Sequence, residues 1–368
     1  MLPERGHNVL TKEANFVDDE QVLSPGQREA RRRWGTQAGG AAFDQKKKSY
    51  LTEQAREFLA QQSLCVIAGL DTHGQPGGLL VLETPGFVQT PDEQTCLLRL
   101  SKRYETTRPL ERLRSFFPGI YPDLGLFFIC HSTRERLCIQ GTAELLFLDF
   151  SPFSGFVGTC TSTWLLLHVR QAFFHCPKYI KTRIPGLTTA DLPAPSLLWR
   201  RADILNCKQA VVSEAIRAFI AERALCYVCT VNRQGYCAVN HRGGAPGFLV
   251  TRPSCNEAPG GMVFLPDYAG NGAFEAIGNI LETGKAAILI PAFASHIALC
   301  LSGCARVCEL QEVSEDVAQQ CKGAERIIAL SVQRVEVQSD DWSASLAYER
   351  EKAEAKQQIP ITACSLLV

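Results

Sequence analysis

Residues 55–75, AREFLAQQSLCVIAGLDTHGQ, return 161 positions later as IRAFIAERALCYVCTVNRQGY. Without a gap, Arg56 falls on Arg217, Phe58 on Phe219, Ala60 on Ala221, Leu64 on Leu225, Cys65 on Cys226 and Gly74 on Gly235. At the same offset PGF recurs at 85–87 and 246–248, and GLFFI at 125–129 falls on AAILI at 286–290. One residue of slip later, CIQGTAEL from Cys138 meets CLSGCARV from Cys300. A period this long marks a duplicated domain rather than a solenoid repeat. Whatever one copy folds into, the other should fold into too.

Each copy runs through the same elements. An amphipathic helix opens it, with Phe58 and Leu59, then Phe219 and Ile220, on one apolar face. A strand, a turn at Asp71–Gly74 or Asn232–Gly235, and a second strand follow. After PGF come another strand, an irregular stretch with a short helix, two strands joined by a turn, and a closing strand (WLLLHVRQAFF; RIIALSVQRVEVQ). About six short antiparallel strands with one or two helices predict a small barrel, which leaves little exposed sheet edge. The expected division is an N-terminal arm at 1–48, a first barrel at 49–200, a second at 201–340 and a tail at 341–368. IPGLTTADLPAPSLL, rich in Pro and Thr, reads as the linker between copies. REARRRWG and DQKKK read as a helix and a basic, solvated, mobile arm.

Lys+Arg and Asp+Glu both number 38, so no global field favours nucleic acid or an anionic membrane. The longest apolar runs fall far short of a bilayer span. The N-terminus has no apolar signal core, which makes the cytoplasm the expected compartment. There the sixteen cysteines read as free thiols rather than a disulfide frame. Cys226 and Cys229 form a C-x-x-C, but on a strand, where positions three apart face opposite ways. Cys300, Cys304 and Cys308 are evenly spaced on a strand-like segment, which puts all three on one face. Neighbours in the series would then stand about 13 Å apart, too far for one metal, and packing is the expected role. No metal site, P-loop, dinucleotide fingerprint or serine triad is visible in the spacings.

The segment DYAGNGAFEAIGN, Asp267 to Asn279, surrounds one aromatic ring with glycines and asparagines between an apolar strand and a short helix. Loops of this composition hold anions on backbone N–H groups, and they also serve as plain turns. GYCAVNHRGGAPGFL, then MVFLPDYAGNGAFEAIGNI and LCLSGCARV, resembles the pyridoxamine 5′-phosphate oxidase-like FMN-binding split barrels, in their long tandem form. FFHCPKYIKTR at 173–183 is similar to the segment that ends the first barrel in those proteins. The resemblance covers about residues 50–340 and is most specific in the second copy. It implies a mainly β fold: two tandem split β-barrels of the FMN-binding type, forming an intrachain pseudo-dimer with flavin between the barrels. Implied flavin-binding residues are His241, Arg242, Gly243, Asp267, Tyr268, Asn271, Phe274, Gly278 and Asn279, with Lys178 from the first copy. Some tandem members precede a ferredoxin-reductase module; the roughly 28 residues after the second barrel are too few for one.

The family tends to carry Arg, Ser and Thr where this chain has Gly272, Ala276 and Ile277, so much of the phosphate-binding lining is missing. The first copy has no such loop, although Ser101, Lys102, Arg103, Thr106 and Thr107 offer donors. His175 and His241 fit a ligand contact or, more simply, a structural role. Cys176 before Pro177 reads as packing rather than as a nucleophile. Two functions follow: an FMN-dependent oxidoreductase-like protein with an unassigned small-molecule substrate or electron donor, or a non-enzymatic ligand-binding or interaction protein with a degenerate flavin site. Neither calls for nucleic acid or membrane, and the chain would be a monomer or a homodimer of pseudo-dimers.

Overall fold

The computed structural model describes residues 23–35, 37–101, 108–119, 121–150, 160–190, 198–207 and 211–357. Before the first strand come α1 (Pro25–Trp34), α2 (Gln37–Asp44) and α3 (Glu53–Ala60). The first sheet is built from β1 (Leu64–Leu70), β2 (Pro76–Leu82), β3 (Val88–Gln89), β4 (Thr95–Leu100), β5 (Asp123–Cys130), β6 (Glu135–Phe150) and β7 (Cys160–Phe174), with α4 (Arg108–Ser115) between β4 and β5. After α5 (Arg201–Leu205) and α6 (Glu214–Ala221) come β8 (Leu225–Val231), β9 (Cys237–Gly243), β10 (Val250–Arg252), β11 (Met262–Asp267), β12 (Lys285–Ala292), β13 (Ile297–Cys308) and β14 (Arg326–Ser339). Helix α7 (Glu275–Thr283) follows β11, α8 (Glu315–Gln320) precedes β14, and α9 (Ser343–Gln357) is the last described element.

Both sheets are antiparallel and seven-stranded, one strand more than the pattern suggested. The orders are β2-β1-β5-β6-β7-β4-β3 and, read from the other edge, β9-β8-β12-β13-β14-β11-β10. Strand for strand these are the same topology, as the duplication requires. Local chemistry repeats as well. The Thr52 and Ser213 hydroxyls, one repeat apart, accept from the N–H groups of Ala55 and Ile216 and so start α3 and α6. Asp71 and Asn232 fold equivalent turns, each accepting two backbone N–H groups on one side-chain oxygen.

Each sheet curls around its own apolar core. Leu79 and Val81 from one edge of the first sheet share a cluster with Val88 and Leu98 from the other. Val228, Val263, Ile288 and Leu330 lie together in the second. A third cluster joins the two barrels, bringing Val66, Leu80, Phe127 and Phe173 against Tyr227, Cys229, Leu289 and Trp342. The strand contacts across it are reciprocal: β2 meets β12 as β9 meets β5, and β2 meets β8 as β9 meets β1. That is the contact pattern of a pseudo-twofold pair.

The repeated Cys-x-x-Gly motif has a backbone reason. Register shifts fall between Gln140 and Gly141 and between Ser302 and Gly303, so each long hairpin carries a bulge at the same place. A Cβ at Gly141 would overlap the His168 carbonyl, and one at Gly303 the Ser331 carbonyl. Gly303→Ala should therefore lower stability by about 1–3 kcal/mol, read from the midpoint of urea unfolding. The cysteine stripe on β13 is covered unevenly. Cys300 and Cys304 do share the outer face of β13, since Ile297, Leu299, Leu301 and Ala305 point into the barrel core. Cys300 is covered by the cluster between the barrels, while Cys304, further along, is exposed. Cys226 and Cys229 do face opposite cores, and fourteen cysteines among the described residues are free thiols.

The segments around the barrels are more tightly held than their composition suggested. Helix α1 starts on a Ser24–Gln27 capping box with Pro25 in its first turn and lies on α7. Gly26 and Gly278 let the two helices approach so closely that a Cβ on Gly278 would sit 2.6 Å from the Gln27 nitrogen. Of the basic run, Arg31 is buried in a bidentate pair with Asp44, and Lys47 also pairs with Asp44. The mobile arm expected there is thus a docked one from residue 25 onward, while residues 1–22 lie outside the described residues. In the expected linker, Ile184 and Leu187 are buried in the cluster between the barrels. The expected C-terminal tail returns to the first copy: Trp342 and Leu346 are buried, and Glu349 accepts from Ser63. Among the described residues no helix is long and apolar enough to cross a membrane.

Candidate functional site

A cleft with about 1040 Å³ between its walls, open mouth included, lies where the end of the first hairpin meets the second sheet. From the first copy it is lined by Arg136, His175, Cys176, Lys178 and Tyr179. The second copy contributes Asn240–Gly243 of β9, the loop after β11, and Glu275–Ile277 at the start of α7. Of the residues that the resemblance implied, the cleft brings together Lys178, His241, Arg242, Gly243, Asp267, Tyr268, Asn271 and Phe274.

Two others are elsewhere. Gly278 packs under α1, and Asn279 donates to the Thr230 hydroxyl at 3.0 Å. Only the first turn of α7 opens on the cleft; one turn further, the same helix faces α1 and β8. Asn271 lines the cleft, but its side-chain oxygen is used within its own turn, accepting the Ala273 N–H at 3.2 Å. Gly243 gives close approach to the Tyr179 carbonyl, which joins the two copies at the cleft wall. Ala276 and Ile277, where donors were missed, bury their side chains in the second core. In the first copy, the Ser101 N–H is bound by Glu83. Lys102, Arg103, Thr106 and Thr107 lie outside the described residues.

The loop is braced from behind. Asp267 is buried and holds two cations: Arg326 donates to Oδ2 at 2.8 and 3.0 Å, and Arg242 stands 2.9 Å from Oδ1. Arg326 in turn packs against the Trp34 and Phe274 rings, at 5.0 and 4.8 Å from their centroids, and the two rings contact each other at 5.9 Å. Phe274 takes a left-handed conformation (φ 50°) at the start of α7. Helix α1 seals the back of the loop, because Gln27 and Arg31 donate to the Ala273 and Gly272 carbonyls.

The front of the cleft is rich in groups that lack a partner. Nε of Arg136, Nε of Arg242, both ring nitrogens of His241 and Oδ1 of Asn240 are buried without a hydrogen bond. Burial, reinforced by Arg136, Arg242 and neighbouring imidazoles, pushes His241 well below the usual histidine range. His175 is pushed down in the same way by burial, Arg136, Arg242 and Lys47. Arg136 itself is lowered to about 10, chiefly by burial. Glu275, at the helix start, is raised by burial against the opposing pull of Lys47, Gln140 and Asn240. Its two carboxyl oxygens accept from Gln140 at 2.6 Å and Asn240 at 3.2 Å.

Arg136, Cys138, Gln140, Asn240, Glu275 and Arg326 were not picked out from sequence as site residues. A partial signal exists, since Arg136, Cys138 and Gln140 alternate along β6 and so share a face. Which surface that face meets is set about a hundred residues later in the chain.

The pseudo-twofold counterpart is chemically different. Pairing registers place Leu79, Leu80, Val81 and Leu82 where the second copy has Asn240, His241, Arg242 and Gly243. Gln338 stands where His175 does and bonds both the N–H and the carbonyl of Leu80. The cations nearby are matched to carboxylates, Arg112 with Glu336 and Arg334 with Asp71. The two ends of the pseudo-dimer are therefore one polar cleft and one ion-paired, apolar-floored counterpart.

No family model and no curated protein matches the chain. Among solved structures, HupZ of Group A Streptococcus aligns with TM-score 0.27 and 12% identity, over 35% of this chain and 96% of its own. A putative pyridoxamine 5′-phosphate oxidase of Lactobacillus delbrueckii aligns with TM-score 0.24 and 16% identity, over 35% and 98%. The FAD binding protein of Mycobacterium smegmatis aligns with TM-score 0.23 and 11% identity, over 34% and 94%. At these scores the likeness says nothing of ligand or reaction. The chain is a mainly β protein of two tandem split barrels, facing each other as an intrachain pseudo-dimer.

Proposed function

We propose that this chain binds one flavin mononucleotide in the cleft between its barrels and acts as an oxidoreductase-like flavoprotein of the cytoplasm. The observation that carries the reading is the set of unpartnered, buried donors on Arg136, Arg242 and His241, opposite the first turn of α7. Buried donors without partners cost free energy until a ligand meets them, and a helix N-terminus with guanidinium groups suits a phosphate. Arg242 and Arg136 would hold the phosphate, with Asp267 fixing Arg242; Tyr268, Tyr179 and Lys178 would border the rest of the nucleotide. When bound, the isoalloxazine would supply electron transfer, a chemistry that no side chain of the cleft has. The ion-paired counterpart supports one flavin per chain.

One observation favours a second reading, a non-enzymatic protein holding a different anion. The loop lacks the hydroxyl donors of flavin-binding relatives, with Ala276 and Ile277 committed to the core. Titration of FMN into the full-length protein, followed by flavin fluorescence, separates the two. Saturation at one flavin per chain is expected. Arg242→Ala should weaken binding roughly 10- to 150-fold, the worth of one charged hydrogen bond at 1.5–3 kcal/mol. Ala276→Ser should tighten it; Ile277→Thr is a poorer test than sequence suggested, because it also removes a buried apolar contact. Failure of the wild-type protein to bind FMN would leave the second reading.

A further inference from the structure

At the floor of the cleft, Cys138, His175 and Glu275 bring a thiol, an imidazole and a carboxyl together, their ligand atoms all within 4.8 Å of one another. We propose that these three residues form a site for a divalent transition metal of the zinc class, with its fourth position open toward the cleft. This proposal does not rest on flavin binding.

The donor set is a mixed sulfur, nitrogen and oxygen triad, which suits zinc or cobalt(II) and does not suit magnesium or calcium. Three protein ligands with an open position is the arrangement of reactive rather than purely structural zinc sites. The triad comes from β6, from the residue just after β7 and from the first residue of α7, so rigid elements hold it across the two copies. His175 Nε2 stands 3.0 Å from Cys138 Sγ. Zinc–sulfur and zinc–nitrogen lengths of about 2.3 and 2.0 Å put tetrahedral ligands about 3.5 Å apart, so this pair must spread by only about half an ångström.

Partners outside the triad are also in place. Gln140 and Asn240 orient the Glu275 carboxyl with their amides, the supporting hydrogen bonds that metal-bound carboxylates have. Asn240 is buried, and its Oδ1 has no partner, leaving an acceptor for a metal-bound water beside the carboxyl.

Charge is the main argument against the site, and it can be weighed. Arg136, Arg242, Lys47 and Arg170 are the cations that act on this cluster. Lys47 is paired with Asp44, Arg242 with Asp267 and Arg170 with Asp123, which leaves Arg136 as the cation without a carboxylate partner among them. Thiolate and carboxylate together supply two negative charges, matching a divalent ion. Binding therefore releases the Cys138 proton, together with the Glu275 proton when that acid is protonated, and strengthens as pH rises. With no metal the alternative is a buried thiol–imidazole hydrogen bond, which is a purely structural cluster.

The cluster is not readable from sequence spacing, because its members are 37 and 100 residues apart along the chain. The test is anaerobic titration of cobalt(II) into metal-stripped, full-length, flavin-free protein. A sulfur-to-cobalt charge-transfer band in the near ultraviolet and visible ligand-field bands should saturate at one equivalent, and zinc should abolish both. Cys138→Ser should remove the charge-transfer band. Glu275→Gln should raise the cobalt dissociation constant about tenfold or more, while Cys176→Ser, at the cleft mouth, should leave spectrum and affinity unchanged. Thermal unfolding of each variant shows whether it is folded. Absence of the band in the wild type, its survival in folded Cys138→Ser, or its loss in Cys176→Ser would overturn the site. So would an unchanged affinity in Glu275→Gln. If Cys138→Ser does not fold, the wild-type spectrum and the Glu275→Gln affinity decide alone.

Discussion

Asp267→Ala should lower the unfolding free energy by about 3–5 kcal/mol, the usual result of taking one partner from a buried ion group. The carboxylate is buried, and so is Arg326, whose guanidinium packs against two aromatic rings and depends on Asp267 for two hydrogen bonds. Without Asp267, Glu325 is the remaining acceptor for Arg326, and it is exposed. The effect should reach beyond the strand. Trp34 closes α1 over this guanidinium, so the fluorescence of that tryptophan should report loosening of α1 before global unfolding. Arg326→Met removes the charge yet keeps an unbranched apolar side chain against the rings, and Arg242 still pairs with Asp267. It should therefore cost clearly less than Asp267→Ala. Urea unfolding of both variants gives the comparison; an Asp267→Ala loss below about 1 kcal/mol would mean that the three charges do not brace the loop.

Acid should unfold the protein partly through its buried histidines. His131 is fully buried and held down from 6.5 to about 4 by burial, against the pull of the Lys181 carbonyl on its ring. In the unfolded chain it takes a proton at higher pH than in the folded one. Stability present above pH 6.5 is therefore lost as pH falls toward 4, in total about 3.4 kcal/mol for this one residue. His175 and His241 act in the same direction. Glu275 and Asp123 act in the opposite one, because burial raises both acids and the folded state keeps their protons longer. Comparing wild type with His131→Asn cancels those shared terms. The stability difference between the two proteins should move by about 2 kcal/mol in the variant's favour between pH about 7 and about 5. A difference that stays constant with pH would show that His131 is protonated in the folded protein.

The sequence by itself determined the duplication, and with it much of the fold. Turn chemistry at Asp71 and Asn232, helix starts at Thr52 and Ser213, and strand periodicity are all local, and each occurs twice at one offset. Two equivalent barrels follow from that, and an isologous pairing satisfies both apolar outer faces. The resemblance pointed to the loop after β11 and to the Arg242 strand, and both line the cleft; by composition alone that loop could equally have been a plain turn. Only the tertiary structure decided what meets them. Arg136, His175 and Cys138 reach Glu275 because the first hairpin is laid across the second barrel, a contact that no spacing of three, four or two encodes. Docking of α1 on α7 depends on Gly26 meeting Gly278, two glycines that look unremarkable apart. Cys300 and Cys304 make the same point, since they share one face of β13 and only the first is covered by the other barrel. Periodicity reports which face of an element is apolar; which other face covers it is set by packing between distant parts of the chain, and there the site is made.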